Sequence, residues 1–277
     1  MSNWKIRDRA LPLGRRSYVM GIVNVTPDSF SDGGKYLDPA DALAQAARLE
    51  AEGVDILDFG GQSTRPGHTE IPPEEEWNRL RPVLEAVCGR TALPVSVDTY
   101  FPYVAERALA LGVQIINDVS GVVNPEMAAP VRESGCGWVL MHAAPLSVGD
   151  DAVAAVSAWF AKALREAEAL GVLAEQLCLD PGIGFGKDNP QNYALIRETA
   201  RLKLPGYAYL LGASRKRCIG AACGAEAADR DFGSAAAHAI GIFGGADIVR
   251  AHCGAGSVQA ARLADALRPQ PGVIGRE

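Results

Sequence analysis

Residues 54–67 read VDILDFGGQSTRPG: a short, mostly apolar run, Val54 to Leu57, passes directly into a polar, glycine-rich cluster. The same arrangement recurs along the chain. Met20 to Val23 runs into NVTPDSFSDGG (24–34), Val95 to Val97 ends at Asp98-Thr99, and Val113 to Ile116 ends at Asn117-Asp118. Trp138 to Met141 ends at His142, Leu177 to Leu179 runs into DPGIGFGK (180–187), Tyr207 to Leu211 into GASRK (212–216), and Ala246 to Val249 ends at Arg250-Ala251-His252. Apolar runs that all deliver polar groups at the same end are the pattern of a closed parallel barrel with a one-sided active site. The expected fold is therefore an α/β, eight-stranded parallel (β/α)8 TIM barrel, and the expected class is an enzyme.

Helical patterns fill the gaps. Asp38-Pro39 reads as an N-cap followed by proline in the first turn, Leu43, Ala46 and Ala47 mark one face, and Gly53 marks the end. Pro73-Glu74-Glu75-Glu76 opens the next helix, with Trp77, Leu80, Leu84 and Val87 on one stripe. Pro82 falls inside that stripe and is expected to kink the helix, because it removes a backbone donor. Residues 151–170 place Val153, Val156, Phe160 and Leu164 on one face, and 101–111, 125–134, 190–200, 229–243 and 255–267 are further helical segments. Strand and helix patterns together give about eight β–α units. No linker or low-complexity segment divides the chain, so residues 1–277 are read as one domain with a core over about 17–268. Residues from 1 to roughly 16, and those after Pro269, are expected to be loosely held.

Length and composition agree: 277 residues suit one such barrel, typically about 250 residues long. The net charge of -6 has no long run of either sign, which argues against a nucleic-acid partner. No stretch approaches the roughly 18 apolar residues of a membrane span, and the N-terminus has no apolar signal segment. The six cysteines are scattered without a C-x-x-C pair, as in a reduced cytoplasmic protein.

The strand-end clusters carry the chemistry. The loop 24–34, with paired glycines and Phe30, is long enough to fold over a ligand. Ser63-Thr64-Arg65-Pro66-Gly67 offers hydroxyls and a guanidinium suited to an anion or carboxylate. Asp98, Asn117 and Asp180 each stand where a strand stops, placed to accept hydrogen bonds from an amide-rich heterocycle; the competing reading for Asp98 and Asn117 is helix capping. DPGIGFGK lacks the spacing of a P-loop or a dinucleotide fingerprint, and its glycines suit a pocket wall formed with Phe185. Ser214-Arg215-Lys216-Arg217, with Arg65, Arg250 and His252, makes the inferred mouth cationic in an acidic protein, which points to an anionic, phosphate-like substrate. His68 reads as a surface residue and His238 as a helix-packing one, while His142 reads equally as a ligand contact or a support. A zinc site from His142, His252 and Cys253 lacks any of the usual ligand spacings.

With NVTPDSFSDGG, GGQSTRPG, SVDT, INDVSG, DPGIGFGK, GASRK and RAH in order, the chain from about Met20 to His252 resembles the dihydropteroate synthases. The resemblance implies a homodimeric barrel that joins 6-hydroxymethyl-7,8-dihydropterin diphosphate to p-aminobenzoate in folate synthesis, releasing diphosphate. It implies that Asp98, Asn117, Asp180 and Lys216 bind the pterin. Asn24, Arg250 and His252 would hold the diphosphate, with Asn24 associated with Mg²⁺. Phe30, Thr64, Arg65, Pro66, Phe185 and Ser214 would face p-aminobenzoate, and Asp32 and Arg65 would help assemble the closed loops; with Lys216 these two form the catalytic set. Such a reaction needs no side-chain nucleophile, and no Ser/His/Asp or Cys/His constellation stands out.

Three segments depart from the family pattern: Gln62 replaces its usual Glu, AAPLSVGDD (143–151) replaces a Met-rich stretch, and Cys253-Gly254 follows His252 where an acid is usual. Two rival readings follow. A pterin-binding barrel that passes a methyl group to a corrinoid protein would not need the SRK segment, the STRPG loop or the diphosphate anchors. A non-catalytic pterin-binding paralogue would tolerate the departures.

Overall fold

The computed structural model describes residues 2–26, 39–63 and 69–268. It opens with an antiparallel hairpin, β1 (Asn3–Ile6) and β2 (Arg9–Pro12). Eight parallel strands follow: β3 (Tyr18–Asn24), β4 (Ile56–Gly60), β5 (Val95–Asp98), β6 (Ile115–Asp118), β7 (Gly137–Met141), β8 (Leu177–Asp180), β9 (Ala208–Leu211) and β10 (Ile248–Ala251). They close in the order β10-β3-β4-β5-β6-β7-β8-β9. The helices between and after them are α1 (Pro39–Ala51), α2 (Pro73–Val87), α3 (Pro102–Ala110), α4 (Pro125–Ser134), α5 (Ala152–Ala169), α6 (Asn189–Arg197), α7 (Thr199–Leu202), α8 (Arg217–Cys223), α9 (Asp231–Phe243) and α10 (Gly254–Leu267). The barrel expected from the strand-end pattern is the fold observed.

Alternation along each strand sorts side chains between two cores, since successive residues point to opposite faces. Val19, Val23, Leu57, Phe59, Val97, Ile116, Leu140, Leu179 and Tyr209 pack outward against the helices. Tyr18, Met20, Ile56, Ile115, Val139, Cys178, Ala208, Leu210 and Ile248 fill the barrel itself. On four alternate strands the inward residue two positions further on is polar: Ile56 gives way to Asp58, Ile115 to Asn117, Cys178 to Asp180 and Ile248 to Arg250. A barrel layer of four side chains from alternate strands is a regular packing solution of this fold. Here that layer is made of groups that ionise or hydrogen-bond.

The N-terminus corrects the expectation that residues 1–16 are loosely held and that the core starts near 17. Trp4 and Ile6 are wholly buried and belong to the inner core, so the hairpin plugs the barrel's lower end. Trp4 Nε1 donates to the Gln176 carbonyl at 2.9 Å, and Arg7 N donates to the Gly135 carbonyl at 2.8 Å. Gly137 is required by this plug, because a Cβ there would come within 2.8 Å of both the Trp4 and Ile6 side chains. No alternation signal marks the plug, since only Trp4 and Ile6 in the short β1 are apolar and inward.

Other expectations are refined. Helix α2 continues through Pro82, which lies inside it. The 190–200 segment divides into α6 and α7 at Glu198, and the 229–243 segment begins its α-helix only at Asp231. Asp38, read as a cap, lies outside the described residues, as do His68 and the residues after Arg268. Asp98 and Asn117 do not cap helices: α3 is preceded by Phe101, and α4 is capped by Asn124, whose side chain accepts from Glu126 N.

Candidate active site

Asp98, Asn117 and Asp180 all reach into the carboxyl end of the barrel, and all three are buried. Asp98 Oδ1 and Asn117 Oδ1 have no hydrogen-bond partner among the described residues. Asp180 Oδ1 accepts from Gly182 N at 2.7 Å, at the start of the 180–187 loop. Burial pushes the Asp180 carboxyl up to about 6, against the pull of the Gly182 amide and the Lys216 ammonium. Asp98 is also raised, first by burial, with Arg250 opposing. Buried acceptors without donors are costly in a folded protein, and a ligand that supplies N–H groups relieves that cost.

The cations are distributed more narrowly than the run Ser214–Arg217 implied. Arg215 is turned away and held bidentately by Asp231, Nε to Oδ1 at 2.7 Å and Nη2 to Oδ2 at 2.8 Å. Arg217 is exposed at the start of α8. Lys216 alone of the three lies in the field of Asp180 and Asp98, and burial lowers its ammonium to about 8. Its Nζ stands 4.1 Å from the centre of the Phe185 ring, a cation–π contact that seats Lys216 against the loop wall. Gly184, at φ +80°, permits this approach, since a Cβ there would meet Lys216 Cδ at 3.0 Å.

Arg250 occupies the centre of the polar layer. Its Nε donates to Asp58 Oδ2 at 2.6 Å and its Nη2 to Asp98 Oδ2 at 2.8 Å. Asn117 Nδ2 reaches the same Asp58 oxygen at 3.3 Å. At the neighbouring strand ends, Ser214 Oγ lies 2.9 Å from His252 Nδ1 and accepts from His252 N at 3.1 Å, so a residue expected on the aminobenzoate side adjoins one expected on the diphosphate side. Asn24 ends β3 opposite Gly60, half-buried at the mouth.

Phe30, Asp32, Thr64, Arg65 and Pro66 lie outside the described residues. Asn24, Asp98, Asn117, Asp180, Phe185, Ser214, Lys216, Arg250 and His252 all stand at the carboxyl ends of the barrel strands or in the loops that follow them.

Reading the motifs missed two residues of this region. Asp58 is wholly buried, and its one legible signal is its place two residues beyond the inward Ile56. Lys187 appeared only as the end of a nucleotide-like string; its Nζ donates to the carbonyls of His142, Gly182 and Phe185 at 3.0, 3.0 and 2.9 Å, which gathers the loop around its own ammonium. His142 thus supports that loop through its carbonyl, and its ring packs edge-on to Trp159 with 5.6 Å between centroids. His238 is buried between α9 and α10, its Nδ1 3.1 Å from Ser257 Oγ. Gln62 shows why an amide serves at its position: Nε2 donates to Tyr100 Oη and Oε1 accepts from Ile71 N, both at 2.7 Å. Among the described residues no group of three or more His, Cys, Asp or Glu is arranged to hold a metal ion.

A family model described as pterin binding enzyme matches residues 20–252. The dihydropteroate synthase of Synechocystis sp. is 39% identical, over 92% of this chain and 91% of that protein. That of Bacillus subtilis is 38% identical, over 95% and 93% respectively. A structure of the Xanthomonas albilineans dihydropteroate synthase with 4-aminobenzoic acid superposes with a TM-score of 0.90 at 42% identity, covering 99% of this chain and 100% of that one. The Burkholderia cenocepacia dihydropteroate synthase complexed with 7,8-dihydropteroate gives 0.86 at 36% identity, covering 96% of each.

Proposed function

The chain belongs to the pterin-binding enzyme family as a dihydropteroate synthase, and we propose that its barrel mouth divides the joining of 6-hydroxymethyl-7,8-dihydropterin diphosphate to p-aminobenzoate among three adjoining subsites. The observation that carries this division is the pair of buried, unpartnered acceptors, Asp98 Oδ1 and Asn117 Oδ1, beside Asp180 and within the field of Lys216. A pterin supplies amino and ring N–H groups to the acceptors and a carbonyl to the Lys216 ammonium. A site whose buried polar groups are satisfied only by the right ring rejects others by leaving them unpaired.

On the second subsite, Arg250 and His252 stand where the departing diphosphate gathers charge. The amine nitrogen of p-aminobenzoate forms a bond to the pterin's exocyclic methylene carbon as the carbon–oxygen bond to diphosphate breaks, and the amine then loses a proton. Phe185 and Ser214 are assigned to the third subsite, for p-aminobenzoate; the family resemblance assigns Phe30, Thr64, Arg65 and Pro66 to the same substrate, and Asp32 and Arg65 to loop closure. Asn24 fits Mg²⁺ as a single neutral oxygen ligand, because this ion commonly takes few protein ligands and completes its shell with substrate phosphates and water. When bound, the ion supplies charge neutralisation to the diphosphate.

The working form proposed is a cytoplasmic homodimer. The outer faces of α9 and α10, which pack on one another, expose Ile240, Phe243, Leu263 and Leu267, an apolar surface that a second copy would cover. The described cysteines are free thiols, in keeping with a reducing compartment. No helix among the described residues is long and apolar enough to cross a membrane. The purified protein should release diphosphate only when the pterin diphosphate, p-aminobenzoate and Mg²⁺ are all present. Pterin binding without turnover in that assay would assign the chain a non-catalytic role.

A further inference from the structure

Asp58 is 0% exposed, on the inward face of β4, and touches none of the space a ligand would enter. Its Oδ2 accepts from Arg250 Nε at 2.6 Å and from Asn117 Nδ2 at 3.3 Å. Its Oδ1 has no partner among the described residues. β4 lies two strands from β10 and two strands from β6 in the barrel order, so one carboxylate oxygen ties together residues from opposite sides of it.

An ionised carboxylate only accepts hydrogen bonds, which has two consequences. Asn117 must turn its amide nitrogen toward Asp58, and this turns its carbonyl oxygen, the unpartnered Oδ1, away from that carboxylate. Arg250, gripped at Nε by Asp58 and at Nη2 by Asp98, keeps its Nη1 edge outside those two bonds. The orientation of a pterin acceptor and the orientation of an anion donor therefore depend on the same buried oxygen. Charge-assisted bonds of this kind hold geometry better than neutral ones. Burying an ion pair costs desolvation that an apolar layer would avoid, so its presence beneath a binding site fits a positioning role better than a stabilising one.

We propose that Asp58 is a positioning residue that couples the pterin subsite to the diphosphate subsite through its shared contact with Asn117 and Arg250. The inference rests on the division of subsites given above. Replacing one oxygen by an amide in Asp58→Asn keeps the volume but no longer dictates which way Asn117 turns, and it removes the negative charge facing Arg250. Calorimetric titration of the full-length variant is expected to show about tenfold weaker binding, within the range that coupled sites commonly span. This loss should appear both with 6-hydroxymethyl-7,8-dihydropterin, which lacks the diphosphate, and with inorganic diphosphate plus Mg²⁺. The KM for p-aminobenzoate should stay within about twofold, because a general loss of structure would move all three values together.

An unchanged dissociation constant for either half-ligand, in a variant that melts like the parent, overturns the coupling. If Asp58→Asn does not fold, the parent protein decides the matter by NMR. Inorganic diphosphate alone should shift the side-chain amide resonances of Asn117, and their constancy at saturating diphosphate overturns the proposal. A parent protein that binds neither half-ligand overturns the subsite reading and the coupling with it.

Discussion

On the inward faces of β4, β6, β8 and β10 the lower residue is Ile56, Ile115, Cys178 or Ile248, and the next one up is Asp58, Asn117, Asp180 or Arg250. The lower half is apolar and sealed by Trp4 and Ile6. The upper half is nearly as buried, yet it leaves Asp58 Oδ1, Ser96 Oγ, Asp98 Oδ1 and Asn117 Oδ1 without partners among the described residues. Two adjoining layers of one barrel thus follow opposite rules. The lower contributes stability through burial, about 25 cal/mol per Å² of apolar surface. The upper gives stability away and recovers it when a ligand supplies the missing donors.

The largest effect that would break this comparison is at Asp180. Asp180→Ala should lower pterin affinity on the order of a thousandfold, since two ligand donors lose a buried, charged acceptor at about 1.5–3 kcal/mol each. Calorimetry with the pterin diphosphate measures this, and an unchanged affinity would remove Asp180 from the site. In the lower layer the effect should move entirely into stability. Trp4→Ala is expected to cost about 3–5 kcal/mol in urea denaturation while leaving both substrate KM values unchanged. A shifted KM with no loss of stability would show that the hairpin belongs to the site rather than to the seal.

The smallest effect sharpens the contrast through pH. The Asp180 carboxyl is raised to about 6, chiefly by burial. Its accepting, charged form is lost as pH falls through about 6, and pterin affinity should drop by up to about tenfold per unit below that point. The stability sign is opposite. A carboxyl raised in the folded state contributes stability that is full below its ordinary value near 4 and is lost as pH rises through about 6. Asp180→Asn should therefore raise the melting temperature at pH 7.5 by a few degrees, even as pterin binding fails. A lower melting temperature in that variant would contradict the claim that the upper layer is maintained at a cost.

Much of this was legible along the chain, and the misses have a common origin. Asp98, Asn117 and Asp180 stood out because each ends an apolar run, and the structure brings all three into one mouth. The cationic run at 214–217 overstates the local charge, because linear order cannot show that Asp231, at the start of α9, withdraws Arg215. Asp58 stands out least of the polar layer, since two more strand residues, Phe59 and Gly60, follow it, whereas at most one follows Asn117, Asp180 or Arg250. The hairpin is not legible in the sequence, because residues 3–12 are too short and too mixed in charge to announce a buried face.

Period and punctuation in the sequence determined the barrel, its direction and the end where chemistry gathers, because strands alternate every second residue and their loops must turn back through helices. Which buried groups pair, and which are left waiting for a ligand, was decided only in three dimensions. Asp58, Asp98, Asn117 and Arg250 come from four different strands, and the partners of a charge are set by distance across the barrel rather than along the chain.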